Sequence, residues 1–368
     1  MQTTTEGEAT DMLAGAEETA GTHPVTVQTA NGRITFDCRP GEPILLAGLR
    51  NGVDLPYACA TGTCGSCRLR GDPAAVDVTW QDAPGLAKVK SGREILLCQS
   101  VARRAVALES RTPIAPWRPD LPRPDHGVGQ IVSRRPIARD VLSVRLRLSQ
   151  PLAFLPGQFV LLRRRGIAGY RAYSPINAET PTAVVDFVVR RKPGGRLSDW
   201  LFAPLVDDGT VEVFGPLGSA VLGGDEDADL LVIAGSTGIA GPMGILDRAA
   251  LDGRFARRRA DVFFGVRTLA DAFFLDNLAD LIACAPEGVR VTLALSEQVP
   301  AGSWHPMFPA IRLAHGDVHA VAQQEIGGPR RETIAFVAGP PPMVDAAIRL
   351  LLTTARLPPT AIRYDRFW

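Results

Sequence analysis

Four cysteines, Cys59, Cys64, Cys67 and Cys98, carry the most specific chemistry in this 368-residue chain. The run CATGTCGSC leaves four residues between the first two and two between the next two, and Cys98 follows in LLCQS. That spacing suits a [2Fe–2S] cluster, in which four thiolates hold two irons. Gly62 and Gly65 let the backbone fold tightly and turn N–H groups toward the sulfurs. Zinc would need a second Cys-x2-Cys pair or a pair of histidines. Neither is present: His23 and His126 lie outside the loop, and His305, His315 and His319 are far downstream. Disulfides are the other competing use of such cysteines. Cys38 and Cys284 each stand alone in an apolar stretch and read as buried, unreactive packing.

Four further segments could bind a ligand. In RAYSPIN, Arg171 offers a planar fork of donors that suits phosphate; the bland alternative is a barrel strand with a turn at Pro175. GGRLSDWL begins a helix, where Gly195 permits close backbone approach and Ser198 can cap the helix and bond phosphate; the alternative is a capped helix and no ligand. AGSTGIAG follows the buried run DLLVI, and its small residues can bring backbone donors to a pyrophosphate. AGPPPMV closes the last buried run.

The elements that must position these residues follow from pattern. VTVQT and RITFDC alternate around Asn31–Gly32 and read as a hairpin. Gly41 to Val53 reads as a turn and helix. Five prolines between Pro113 and Pro124 mark an extended, semi-rigid connection that limits how far the cysteine loop can stray. GQIVSRR, VLSVRLRLS, GQFVLLRRR, VVDFVVRRK and GTVEVFGPLG read as short strands of an antiparallel barrel, interrupted by a helix over about 197–205. From Ala228 onward, buried runs alternate with helical stretches, LADAFFLDNLADLIA among them, which predicts a parallel doubly wound sheet. The predicted order is a tail over 1–22, a cysteine-bearing domain over 23–111, a linker over 112–126, a barrel over 127–224 and an α/β domain over 225–368.

Charge is balanced, with 40 Lys+Arg against 39 Asp+Glu, and no basic stripe with interleaved aromatics suggests nucleic acid. Residues 1 to 22 lack the basic start and apolar run of a signal peptide and read as disordered. The longest uncharged run, LLVIAGSTGIAGPMGIL, is too short and Gly-rich for a membrane span. Free cysteines and an iron–sulfur site fit a reducing cytoplasm.

Two resemblances complete the reading. GEPILLAGLRNGVDLPYACATGTCGSCRLR with REILLCQS resembles a plant-type ferredoxin, which implies a β-grasp domain of about one hundred residues. RAYSPIN, GGRLSDWL, AGSTGIAG and AGPPPMV, in that order, resemble the ferredoxin–NADP reductase superfamily. The overall fold class is therefore multidomain, α+β and α/β: β-grasp, antiparallel flavin barrel, and doubly wound nicotinamide domain.

The second resemblance implies FAD in the barrel, with FMN used by some relatives. Arg171, Tyr173, Ser174, Val188, Arg190, Gly195, Arg196, Leu197 and Ser198 would bind it. Tyr173 would pack on the isoalloxazine, and the Ser174 hydroxyl would approach its N5. Gly235, Thr237, Gly238, Arg267, Gly339, Pro340, Met343 and Phe367 would hold the nicotinamide or cover the flavin. Ser174 and Phe367 are the expected catalytic pair, with Trp368 competing for the covering role. Two departures stand out: Gly241 separates Ala240 from Pro242, and Ala338 stands where the family usually has Cys. Arg267 suits a 2′-phosphate and Asp271 a free 2′-hydroxyl, so NADH is expected and NADPH remains possible.

The combined order resembles the reductase components of bacterial oxygenases. It implies an NAD(P)H-dependent oxidoreductase passing electrons through FAD and the cluster to a terminal oxygenase, a Rieske dioxygenase or a di-iron monooxygenase. A monomer is expected. Two alternatives stand beside it: a reductase serving a deoxysugar dehydrase, and a passive carrier with an inactive nicotinamide site.

Overall fold

The computed structural model describes residues 21–89, 92–204, 208–224 and 226–367. Residues 1–20 of the predicted tail over 1–22, the end of the predicted helix at 205 and Trp368 lie outside the described residues.

The cysteine-bearing domain is built on a mixed five-stranded sheet. Its elements are β1 (His23–Thr29), β2 (Gly32–Cys38), α1 (Ile44–Arg50), β3 (Arg68–Gly71), β4 (Val76–Val78), β5 (Glu94–Leu96), β6 (Ser100–Ala102) and β7 (Val106–Glu109). The strand order is β2-β1-β7-β3-β5, with β4 and β6 as a separate pair. Only β1 and β7 run parallel in the large sheet. Thr29 pairs with Gly32, so the hairpin turn sits on Ala30 and Asn31, one residue earlier than predicted. Asn31 is drawn out of the predicted turn centre because its side chain serves the linker, bonding Ile114 N at 3.2 Å and Ile114 O at 3.1 Å.

The proline-rich linker is held by this domain. Asp54 N donates to Ala115 O at 3.1 Å and Trp117 N to Gly52 O at 2.7 Å. Ile114 and Leu121 are buried. Stiffness from proline is thus supplemented by direct packing.

The barrel comprises β8 (Asp125–Ala138), β9 (Val141–Leu152), β10 (Phe159–Arg163), β11 (Arg171–Tyr173), β12 (Thr182–Arg190), α2 (Arg196–Phe202) and β13 (Thr210–Leu217). Six antiparallel strands run β11-β10-β13-β8-β9-β12. A bridge between Pro175 and Phe187 joins the two edges. Its interior holds Leu146, Val160, Phe187 and Val213, inward positions of the strands, and Phe154 from the connection between β9 and β10.

The last domain comprises β14 (Asp229–Gly235), α3 (Ala240–Leu251), β15 (Ala260–Val266), α4 (Leu275–Cys284), β16 (Val289–Leu295), β17 (Arg312–His315), α5 (Val318–Ile326), β18 (Thr333–Gly339), α6 (Pro341–Thr353) and β19 (Ile362–Arg366). All six strands are parallel, in the order β17-β16-β15-β14-β18-β19. The sheet reverses its winding at β14, flanked by β15 and β18, so a cleft opens beyond the carboxyl ends of β14 and β18. The predicted helix LADAFFLDNLADLIA begins only at Leu275, because a capped turn at Thr268–Asp271 and left-handed Phe274 precede it. Cys284, predicted to be buried, is exposed. It is the last residue of α4, whose buried face is Leu278, Leu281 and Ile282.

Candidate functional site

The cysteine loop connects α1 to β3, and Cys98 returns to it from the turn after β5. Cys59, Cys67 and Cys98 are buried and Cys64 is half-buried. The thiols are arranged two and two: Cys64 hydrogen-bonds Cys59, and Cys98 hydrogen-bonds Cys67. The N–H groups of Thr61 and Cys64 each donate to Cys59 Sγ at 3.4 Å, and Ser66 N donates to Cys64 Sγ at 3.4 Å. Gln99 Nε2 reaches Cys98 Sγ at 3.7 Å. The hydrogen bond from Cys64, with help from Thr61 and Thr63, outweighs burial and pulls the Cys59 thiol down to about 4. Cys64 and Cys98 shift upward, first because each donates to its partner sulfur. Among the described residues no three His, Cys, Asp or Glu side chains gather as a single-ion site. Two thiol pairs ringed by N–H donors fit a two-iron cluster.

The barrel contributes a second set. Ser174, just after β11, is 6% exposed, yet its Oγ has no hydrogen-bond partner among the described residues. A buried hydroxyl left unpaired is costly, so this position fits a ligand with a polar edge, as a flavin ring has. Burial pushes the neighbouring Tyr173 phenol up to about 12, and its ring meets Phe187 edge-on at 6.3 Å. Arg171 Nη1 donates to Tyr170 O at 2.8 Å, and its guanidinium lies 5.7 Å from the Trp80 ring of the cysteine domain. Arg190 Nη1 donates to Ser236 Oγ at 2.6 Å, linking the barrel to the loop after β14. Ser198 does not cap α2 as predicted. Gly195 occupies the cap, while Ser198 Oγ accepts from Lys192 N at 3.1 Å and donates to Gly195 O at 2.9 Å. It shapes the Lys192–Gly195 turn because it stands one turn inside the helix.

The loops after β14 and β18 interlock. A Cβ on Gly238 would lie 2.3 Å from Ala338 O, so only glycine allows this approach. Met343 packs behind, its Cε 3.3 Å from the position a Gly235 Cβ would take. The Gly241–Pro242 departure falls in the first turn of α3, where proline is tolerated. The C-terminal run forms β19, and Phe367 N donates to Gly339 O at 3.0 Å. Arg363 anchors that strand to Val221 O and Glu226, and Arg366 pairs with Asp345 at 2.6 Å. Burial pushes the Asp365 carboxyl up to about 7.

One cleft of about 2080 Å³ gathers most of these groups. It is lined by Cys59 and Cys64, by Arg171, Tyr173, Ser174, Val188, Arg190 and Gly195–Ser198, and by Gly235, Thr237, Gly238, Gly339, Pro340 and Phe367. Cys67 and Cys98 are buried and are not among its lining residues. Met343 and Arg267 do not line it. Arg267 stands just past β15, its Nη2 3.4 Å from Asp271, whose carboxylate is engaged by Thr268. Tyr57 and Trp80 also line the cleft from the cysteine domain. Sequence reasoning missed both, since each contact joins positions far apart in the chain.

Residues 28–103 match the family described as 2Fe-2S iron-sulfur cluster binding domain, and residues 129–221 match the oxidoreductase FAD-binding domain. The chain is 32% identical over 340 residues to the ferredoxin–NAD(+) reductase component of the alkene monooxygenase system of Xanthobacter autotrophicus, covering 92% of this chain and 99% of that protein. It is 32% identical over 349 residues to a ferredoxin–NAD(P)(+) reductase of Metapseudomonas resinovorans, covering 92% and 98%. The structure of the ferredoxin reductase in carbazole 1,9a-dioxygenase superposes with a TM-score of 0.77 at 28% identity, over 95% of this chain and all of that one. The chain therefore belongs to the family of ferredoxin–NAD(P)(+) reductases, iron–sulfur flavoproteins that form the reductase components of oxygenase systems.

Proposed function

We propose that this reductase uses NADH and delivers electrons to a terminal oxygenase, a Rieske dioxygenase or a di-iron monooxygenase. The observation that carries this reading is the single cleft lined at once by Cys59, Cys64, Ser174, Thr237 and Phe367. FAD supplies hydride acceptance and the [2Fe–2S] cluster supplies one-electron delivery when each is bound.

The chain's own residues have separable roles in this reading. Cys59, Cys64, Cys67 and Cys98 hold the cluster. Arg171, Arg190 and the Gly195–Ser198 turn bind and orient the flavin phosphates, with Val188 along the wall. Tyr173 packs on the ring, and the unpaired Ser174 hydroxyl bonds its polar edge. Gly235, Thr237, Gly238, Gly339 and Pro340 admit the dinucleotide by their small size, with Met343 supporting Gly235 and Gly339. Phe367 covers the flavin and excludes water. Arg267, held by Asp271, contributes to the adenosine end; with its guanidinium engaged by a carboxylate it favours NADH over NADPH. The name of one relative, an NAD(+) reductase, supports that preference.

The reading includes a monomer, and free cysteines support a place in the cytoplasm. No helix among the described residues is long and apolar enough to cross a membrane.

Anaerobic titration of the purified protein with NADH is the test. Flavin absorption should bleach, cluster absorption should follow, and kcat/KM should be higher for NADH than for NADPH. Reconstitution with one purified oxygenase of each class then identifies the acceptor. A cluster left oxidised by NADH would overturn the reading, and a higher kcat/KM with NADPH would overturn the cofactor preference.

A further inference from the structure

We propose that Tyr57 is a positioning residue that fastens the cysteine loop to the flavin barrel and thereby sets the rate at which electrons pass from flavin to cluster. This inference rests on the electron-relay function above.

Tyr57 stands two residues before Cys59. Its hydroxyl accepts a hydrogen bond from the backbone N–H of Gly218 at 2.9 Å, across 161 positions of sequence. Gly218 directly follows β13 and is itself firmly held. Its carbonyl accepts from Gln158 Nε2 at 3.2 Å, and Gln158 is 1% exposed. Its backbone is left-handed at φ +90°, and a Cβ there would meet the Phe159 ring at 3.0 Å. The donor is thus fixed by the barrel wall. The acceptor belongs to the segment leading into the first cysteine.

Packing reinforces the link. The Tyr57 ring packs against a core that combines Leu49, Val53 and Leu55 of the cysteine domain with Phe159, Phe214 and Leu217 of the barrel. The contacts of Glu42 with His126 and of Trp80 with Arg171 also cross this boundary. They anchor other segments of the domain. Tyr57 is the contact next to a cysteine that itself lines the cleft. Electron tunnelling weakens steeply with distance, so a small loosening of this segment reaches the transfer rate without touching either cofactor's ligands.

The test uses the complete holoprotein and Tyr57→Phe, which removes the hydroxyl and keeps the ring. Stopped-flow mixing with NADH resolves flavin reduction from the later reduction of the cluster. The later phase should slow by up to about fivefold, the change in the ratio of fastened to loosened forms expected from losing one neutral hydrogen bond. The flavin phase and the cluster absorption should be unchanged. Amide hydrogen exchange supplies a second readout: the peptide containing Gly218 should lose protection in Tyr57→Phe. Tyr57→Leu, which also removes the ring, should slow the later phase further. An unchanged later phase in Tyr57→Phe overturns the proposal, as does retained protection at Gly218. Cluster loss in Tyr57→Leu with normal kinetics in Tyr57→Phe also overturns it, since Tyr57 would then only shape the loop. A wild-type cluster that NADH fails to reduce overturns the function as well, and is distinguishable because the defect is not confined to the variants.

Discussion

At the scale of single residues, the site rests on groups that are satisfied only in part by the protein. The four thiols lie in two pairs, with N–H groups donating to Cys59, Cys64 and Cys98, and Ser174 Oγ has no partner among the described residues. Cys98 is buried and does not line the cleft, so its replacement should remove the cluster and leave the flavin end intact. Cys98→Ser is expected to lose the iron–sulfur absorption and delivery to an oxygenase while retaining NADH-driven ferricyanide reduction; normal cluster absorption in that variant would refute the ligand assignment. Phe367 is tied by its N–H to Gly339 O, at the edge of the loop that would hold the nicotinamide. A stacked ring must move aside for the nicotinamide. Deleting Phe367 and Trp368 should therefore lower the apparent Kd for the nicotinamide and increase oxygen consumption by the reduced protein. Stopped-flow reduction with parallel oxygen uptake reads both quantities, and no change in either would leave Phe367 without a covering role.

At the scale of elements, α1 and the first barrel strand meet through one buried carboxylate. Glu42, just before α1, has a side chain 3% exposed and is bonded by Arg50 at 2.9 Å and by His126 of β8 at 2.8 Å. Burial alone would raise its pKa, but hydrogen bonds from Arg50 and His126 outweigh that and lower it from 4.5 to about 2. A depressed carboxylate contributes stability that is complete above its unfolded value and lost as pH falls through its folded value. The stability difference between the wild type and Glu42→Gln should thus be flat above about pH 4.5 and shrink toward about pH 2. On the plateau, removing one partner from a buried pair costs on the order of 3 kcal/mol. Chemical denaturation of both proteins across that pH range measures it, and a pH-independent difference would exclude Glu42 as the titrating group.

At the scale of the whole molecule, the cysteine domain and barrel share one hydrophobic core. It runs from Val25, Leu45 and Leu96 to Phe159, Leu161, Tyr170, Phe214 and Leu217. Proline spacing alone suggests independent modules joined by a strut, but cutting there would expose the barrel's share of this core. A fragment of residues 127–368 is expected to unfold at a temperature several degrees lower than the intact protein, with weaker flavin retention, because a few lost buried side chains are worth about 1.5–3 kcal/mol each. Recombined fragments should transfer electrons at a concentration-dependent rate below that of the intact chain. Calorimetry and mixing kinetics test both; an unchanged melting temperature would mean the shared core contributes little to stability.

The sequence by itself determined what is local. Cysteine spacing, the alternating runs of the barrel and the strand–loop–helix at Gly235–Ala240 are each encoded within short windows, because thiolate geometry, pleat and helix period act over neighbouring residues. The turn shift at Asn31, the exposed Cys284 and the inward role of Ser198 escaped such reading, since each depends on a partner or face supplied by folding. Only the tertiary structure decided that Tyr57 and Trp80 of the cysteine domain reach the barrel, that Arg190 reaches Ser236, and that Arg267 stands outside the cleft lining. These contacts join residues 46 to 161 positions apart. No local pattern specifies them, because burial and hydrogen bonding between distant segments exist only once the domains have packed.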